Sequence, residues 1–210
     1  MKPNTETAVR RIPQQERSRQ KVTAILETAM TLFQQFGMDS ISMREIAREA
    51  GMPIATVYQY FPNKQSIVQT IWENHTSDVE QLLETELGTL LKDSSSQSLK
   101  RTMSRIIDSI ADVYDRNPAY TEIRQCVAAT PDLRRLNLDN TLRISKLLKQ
   151  VIVSVNPGAS QSEVANYALI ATEAASSTVK LGQQLPADRR NELYESLKSF
   201  LVEFFQSLSK

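Results

Sequence analysis

The chain has 210 residues, 40% of them hydrophobic and 23% charged, and its formal net charge is +1 at pH 7. This composition is typical of an ordinary globular protein with a sizeable core, and the small net charge argues against non-specific architectural DNA binding. One cysteine, Cys126, excludes an intrachain disulfide, and no stretch reaches the ~20 apolar residues that span a bilayer. Because the first fifteen residues are polar and charged, we expect a cytoplasmic protein with no membrane partner.

Positively charged residues are concentrated near the start of the chain. Residues 1–64 hold nine Lys or Arg and six Asp or Glu, and six of the nine cations lie in the first 21 residues. Arg10 and Arg11 fall in this segment, which is either a flexible tail or an arm that enters the minor groove of DNA. We therefore assign residues 1–18 to a basic flexible arm.

The first predicted helix runs from about Val22 to Phe36, where apolar residues recur at helical spacing until Gly37 ends it. Ser42-Met43-Arg44-Glu45 is a capping box that opens a short helix ending near Ala50. Gly51 then supplies a turn, and residues 53–60 form a second short helix. A long third helix follows from Asn63 to about Lys92.

Polar breaks and capping signals divide the rest of the chain into further helices. Asp93 to Ser98 is a serine-rich break. Helix starts follow at Ser98, at Asn117-Pro118, at Thr130-Pro131, at the capping box Ser160 to Glu163, and near Pro186. With only five glycines and no sustained period-2 alternation, the chain is predicted to be all-α, with nine helices.

Two short helices joined by a glycine-containing turn are the sequence form of a DNA-reading helix-turn-helix at residues 42–61. Ile46, Ala47 and Ala50 of the first helix can close a small core with Val57 and Phe61. This arrangement leaves outside the side chains of Ile54, Ala55, Thr56, Tyr58 and Gln59. Small exposed apolar side chains suit a major groove, where they pack against thymine methyl groups.

Two segments carry a family resemblance, namely SMREIAREAGM at 42–52 and ATVYQYFPNK at 55–64. With the preceding helix, they resemble the amino-terminal domain of the tetracycline-repressor (TetR) family over about residues 19–79. The resemblance implies a TetR-like architecture in which a three-helix DNA-binding domain at 19–79 precedes an effector-binding and dimerisation body at 80–210.

The resemblance also implies roles for individual residues in DNA binding. It makes Arg44, Ile54 and Ala55 base-facing positions, and it assigns phosphate contacts to Thr56, Tyr58, Tyr60 and Lys64. Ser42 would cap its helix and turn the first amides of that helix toward a phosphate. Two features depart from the family pattern. Met52-Pro53 removes a capping side chain before the second short helix, and Gln59, where an aromatic residue is common, is expected at a base edge.

The last two helices of the body are candidates for a dimer interface. Small residues recur at helical spacing along 164–182, and an apolar stripe follows on the final helix. By resemblance this helix pair forms a four-helix interface with a second copy through Ala168, Ala171, Ala175, Leu197, Phe200 and Phe204; the alternative is an internal hairpin.

The expected function is sequence-specific regulation of transcription, by a repressor that leaves a palindromic operator when a small apolar or amphipathic effector binds. The alternative is a dimeric regulator that is constitutive or controlled by a protein partner. The effector site is not assigned, although Met103, Ile107, Tyr114, Tyr120, Arg124 and Cys126 are candidates to line it.

An enzyme or metal carrier is the rival from another class. A helical di-iron bundle needs paired Glu-x-x-His motifs, but the chain has one histidine, His75, which we expect on the surface or in packing. The sequence offers no Cys/His zinc spacing, glycine-rich phosphate loop or Ser/His/Asp set. We therefore expect no enzymatic activity, no metal and no cofactor.

Overall fold

The computed structural model describes residues 16–93, 95–155 and 157–208. Within these ranges the chain forms nine helices and no strand, which confirms the all-α prediction. They are α1 (Glu16–Phe36), α2 (Met43–Glu49), α3 (Ile54–Tyr60), α4 (Lys64–Lys92), α5 (Ser96–Arg116), α6 (Ala119–Ala129), α7 (Pro131–Val155), α8 (Gln161–Gly182) and α9 (Ala187–Ser207). Arg10 and Arg11 lie outside the described residues.

The helices assemble into two compact units. Of the described residues, the first unit comprises 16–75 together with 117–137, and the second comprises those of 76–116 and 138–208. Helices α4 and α7 each contribute a segment to both units. Among the described residues, none of the helices is both long and apolar enough to cross a membrane.

The first unit has a core built mainly by α1 to α4. Its largest buried side chains include Ile25 and Phe33 from α1, Ile46 from α2 and Phe61 just after α3. Residues from much later in the chain complete this core, namely Ile123 and Val127 of α6 and Leu133 of α7. The sequence-based division at residue 79 assigned α6 to the body, whereas α6 packs against α1, because its apolar face is buried in this core.

The second unit packs α5, α8 and α9 together. Helix α5 presents a continuous apolar face, which includes Leu99, Met103, Ile106 and Ile107, all of them buried. Lys198 of α9 is also buried, and its Nζ lies 2.6 Å from Asp108 of α5 and 2.6 Å from Glu195. These carboxylates raise the pKa of Lys198 although burial alone would lower it.

Candidate nucleic-acid interface

Helix α2 begins with the capping box that the sequence predicts. The Ser42 hydroxyl oxygen accepts from the Glu45 amide at 3.2 Å, and the Ser42 amide donates to the Glu45 carboxylate at 2.7 Å. The Ser42 hydroxyl also donates to that carboxylate at 2.7 Å. The bond from the Ser42 amide, followed by the one from its hydroxyl, lowers the pKa of Glu45. The start of α2 is therefore fixed by its own side chains.

The turn between α2 and α3 is set by Gly51, whose φ is +63°. Its amide donates to the Arg48 carbonyl at 3.1 Å, and the Met52 amide donates to the Ala47 carbonyl at 2.9 Å. This pair of bonds is a Schellman motif, which ends a helix with one residue in the left-handed region. Glycine adopts that region without a steric penalty, so the short length of α2 follows from Gly51.

Helix α3 starts at Pro53, which makes no side-chain capping bond. Backbone bonds from the amides of Thr56 and Val57 to the Pro53 carbonyl close its first turn. The inner side of α3 buries Val57 completely, and Phe61 beyond its end is equally buried. The predicted small core is therefore present except for Ala50, which is half-buried, and the predicted loss of a capping side chain before α3 is also observed.

The outer side of α3 is uncharged and mostly apolar. Ile54 is 36% exposed and Tyr58 43%, and Ala55 and Gln59 are exposed beside them. Thr56 lies at the edge of this surface and is half-buried. Arg44 of α2 is exposed, and its neighbour Arg48 pairs with Glu49 at 2.9 Å. We call Ile54, Ala55, Tyr58 and Gln59 the outer face of α3.

Two of the residues expected to contact phosphates, Tyr60 and Lys64, instead make contacts within the protein. Tyr60 is only 4% exposed and belongs to the core, because its position on α3 points opposite to the outer face. Lys64 is half-buried, and its Nζ donates to the carbonyls of Met38 at 2.6 Å and Ile41 at 2.8 Å. Lys64 thus fastens the segment before α2 to the start of α4. Sequence reasoning had no signal for either feature, since both depend on tertiary packing.

The predicted dimer residues fall into two groups. Ala168, Ala171 and Leu197 are buried within the chain itself, so the expectation that they meet a second copy needs correction. The physical reason is that α8 packs against both α5 and α9, and its small residues serve those internal contacts. Ala175 and Phe204 are half-buried, and Phe200 is 50% exposed.

Sequence reasoning missed two apolar residues of α8 that are exposed, Ile170 and Leu181. They share one side of the helix with Ala174, because residues spaced by three or four lie on the same side. The ring of Phe204 makes an edge contact with Tyr167 of α8 at 5.9 Å between centroids and lies 6.2 Å from Phe200. We call Tyr167, Ile170, Leu181, Phe200 and Phe204 the outer face of α8 and α9.

The one histidine is buried in the first unit, as a packing residue. The His75 ring stacks on Tyr120 of α6 at 4.1 Å and lies 5.7 Å from Trp72. Burial, and then the charge of Arg124, lower the pKa of His75 from 6.5 to about 4. The imidazole is therefore neutral at pH 7.

The candidate effector residues are divided between the two units. Met103, Ile107 and Tyr114 are buried in the second unit, whereas Tyr120, Arg124 and Cys126 belong to the first. Thr102 of α5 is fully buried, and its Oγ1 has no hydrogen-bond partner among the described residues. Within the same ranges, no group of three His, Cys, Asp or Glu side chains comes together as metal ligands would.

The two short helices, their glycine turn and the outer face of α3 define a helix-turn-helix DNA-binding domain attached to a helical body. A family model described as bacterial regulatory proteins, tetR family, matches residues 25–71, and one described as tetracyclin repressor-like, C-terminal domain, matches residues 97–205. The second model spans about half of the chain. The chain belongs to the TetR family of bacterial transcriptional regulators.

Curated relatives share the amino-terminal part. The regulator YvkB of Bacillus subtilis (strain 168) is 36% identical over 69 residues, which cover 33% of this chain and 36% of that protein. AcrR of Shigella flexneri is 38% identical over 58 residues, covering 28% of this chain and 27% of AcrR. This chain therefore matches only about a third of the length of these relatives. Both are named as transcriptional regulators, and neither is named as an enzyme.

A solved structure is similar over nearly the whole chain. It is a candidate TetR-family regulator from Mesorhizobium loti MAFF303099, with a TM-score of 0.71 and 21% identity, and the match covers 92% of this chain and 98% of that one. At this identity the likeness establishes the fold. The carboxy-terminal body, which the second family model matches, thus shares the TetR fold as well.

Proposed function

We propose that this regulator is a homodimeric repressor that binds a palindromic operator through α2 and α3 and is released by a small apolar or amphipathic effector. The outer face of α3 carries the proposal. Its apolar side chains are exposed on a seven-residue helix, and α2 adds the exposed Arg44; such a pair of helices is suited to the major groove.

The exposure of the side chains supports a proposed set of DNA contacts. Arg44, Ile54, Ala55 and Gln59 would face base edges, while Ser42, Thr56 and Tyr58 would lie toward phosphates. Lys64 keeps one ammonium hydrogen beyond the two that its carbonyl partners use, and that hydrogen can reach a phosphate only at the edge of the interface. Tyr60 is left out of the contact set because its side chain is buried.

Dimerisation would use the outer face of α8 and α9. Five apolar or aromatic side chains on two adjacent helices are costly to leave in water, and a symmetric copy would cover the same patch on both partners. Two recognition helices related in this way would meet an operator with half-site centres about 34–36 Å apart or a multiple of that spacing. Ala175, half-buried on α8, would lie near the edge of the contact.

Two solved structures of similar fold support control by a ligand and a repressing role. The complex of SmeT with triclosan has a TM-score of 0.65, and the TetR-family repressor AlkX from Dietzia, implicated in biodegradation of n-alkanes, has a TM-score of 0.54. In this chain the buried Thr102 hydroxyl is a candidate partner for an effector, because an unpaired buried hydroxyl gains a hydrogen bond when a ligand supplies one. A regulator of this kind works in the cytoplasm, with the DNA.

Selection of bound DNA from a random pool tests the proposal. We expect an approximately palindromic sequence bound by the dimer, and Arg44→Ala should relax the preference at particular base pairs at a cost of about 1–3 kcal/mol. The exposed Lys146→Ala, on α7 of the second unit, is a matched charge control and should change nothing. If no sequence is enriched, or if the protein binds DNA as a monomer, the proposal fails.

Effector control needs a separate experiment, since a constitutive or partner-controlled regulator would bind the same operator. A set of apolar and amphipathic compounds is screened for release of the selected duplex. An effector that releases DNA must bind more weakly when operator is present, by the same factor. Equal affinity with and without operator, for every compound that binds, would favour the alternative without a small-molecule effector.

A further inference from the structure

The composition of α3 restricts which base features it can recognise. Its seven residues, IATVYQY, include no charged side chain. Guanine is most often recognised by a bidentate Arg or Lys on its O6 and N7, so α3 has no side chain for that contact. In the helix pair, the exposed arginines are Arg44 and Arg48, both on α2.

The geometry of α3 selects the side chains that can reach a groove. Successive residues turn by about 100°, which puts Ile54, Tyr58, Ala55 and Gln59 in order across one arc of about 140°. Val57 and Tyr60 occupy the opposite side and are buried. Ile54 and Ala55 form the first turn, and Pro53 in front of them adds no capping side chain. The amino-terminal turn of a recognition helix is the part that meets base edges.

Apolar side chains at this place have one complementary group in the major groove. Each base pair presents hydrogen-bond donors and acceptors there, and only thymine adds an apolar group, its C5 methyl. Ile54 and Ala55 can neither donate nor accept through their side chains, whereas Gln59 at the far end of the arc can do both.

We propose, on the basis of the function proposed above, that the first turn of α3 reads thymine by its C5 methyl group, with Ile54 as the main contact. Each operator half-site then contains a thymine whose methyl group is packed against Ile54. A bidentate arginine contact to guanine can come from α2 but not from α3. Apolar contact with this methyl group, which forms no hydrogen bond, then contributes to the affinity for the half-site.

Deoxyuridine substitution tests this inference, because deoxyuridine lacks only the C5 methyl of thymidine. Each thymine of the selected duplex is replaced in turn, in both half-sites, and binding is measured by fluorescence anisotropy. We expect one or two positions at which the loss of the methyl weakens binding by about fourfold per half-site, the value for burying one methyl-sized group. In the Ile54→Ala variant, the penalty at one of these positions should disappear.

Leu91→Ala is the matched control, since it shortens another exposed aliphatic side chain, 43% exposed at the end of α4 and outside the first unit. This variant should keep the wild-type penalty, and circular dichroism should show that both variants are folded. If the duplex is bound specifically but no thymine is sensitive, the inference is overturned and the proposed function stands. A penalty that persists unchanged in Ile54→Ala also overturns it. If no duplex is selected at all, the proposed function itself fails.

Discussion

The helix pairs α2–α3 and α8–α9 use their apolar residues in different ways, although α2 and α8 start with the same device. Ser42 and Ser160 each cap a helix with a glutamate three residues later. Behind α2 and α3 lies a small core, and Ile54, Ala55 and Tyr58 of α3 remain exposed on the other side. In α8, Ala168 and Ala171 are among the buried residues, while the larger Ile170 faces outward.

The difference shows when the spacing of apolar residues along a helix predicts which side is buried and when it does not. A seven-residue helix has room for one apolar side and one outer side, so the outward position of Ile54, Ala55, Tyr58 and Gln59 on α3 follows from the pattern, whereas the burial of Tyr60 does not. The 22 residues of α8 carry apolar side chains on two sides, and alanines occur on both of them. Only the packing partners of α8 decide which side is internal.

The largest expected effect distinguishes an exposed side chain of α9, Phe200, from a buried one, Leu197. Phe200→Glu should disrupt the dimer and raise its dissociation constant at least a hundredfold, about 3 kcal/mol, because each copy would bring a charge into an apolar contact. Sedimentation velocity measures the change. Leu197→Ala, at a side chain 4% exposed, should instead lower the free energy of unfolding by about 3 kcal/mol. A Phe200→Glu protein that remained dimeric would contradict the interface.

Acid should destabilise the first unit through His75, the only histidine of the chain. Its pKa is about 4 when folded and 6.5 as a free side chain, so between these values the unfolded chain binds more protons. The free energy of unfolding therefore falls as the pH is lowered through this window, by about 3 kcal/mol in total.

Trp72 is the only tryptophan and lies beside His75, so its fluorescence follows unfolding of this cluster. His75→Phe keeps an aromatic ring next to Tyr120 but cannot titrate. Most of the pH dependence between 6.5 and 4 should vanish in this variant. The same dependence in both proteins would mean that other groups cause it.

Gly182→Ala should cost about 2 kcal/mol of folding stability, because a β-carbon there would overlap the ring of Tyr194. That ring is held by its hydroxyl, which donates to the Val179 carbonyl at 3.0 Å and accepts from Gln183 at 3.2 Å. Urea denaturation measures the loss. Gly88→Ala, in open space on α4, is the control and should be neutral or slightly stabilising. Equal stability of the two variants would refute the overlap.

Gly51→Ala should have the smallest effect, about 1 kcal/mol, for a different reason. A β-carbon at Gly51 meets nothing within 4 Å, so only the positive φ opposes it. Gly51→Asn should cost less, because asparagine tolerates the left-handed region better than alanine. If asparagine were as unfavourable as alanine, the backbone would not be the cause.

Local signals made most of the fold predictable. Capping serines, prolines and glycines mark helix ends through local geometry and bonds to residues a few positions away, and the described part of the chain contains the predicted nine helices. The sites were harder to predict where a side chain has a distant partner. Lys64 bonds to carbonyls 23 and 26 residues earlier, and Tyr60 enters a core that no local pattern defines.

The core of the first unit is completed by residues that are synthesised late. Ile123, Val127 and Leu133 follow the last helix-turn-helix residue by more than sixty positions. At roughly 5–20 residues per second, a nascent chain carries α1 to α3 for several seconds before α6 exists to cover them. A fragment that stopped at residue 79 would hold every residue of the reading helices and still leave the α6 side of α1 bare, so the smallest well-packed DNA-binding piece of this regulator is not a continuous stretch of its sequence.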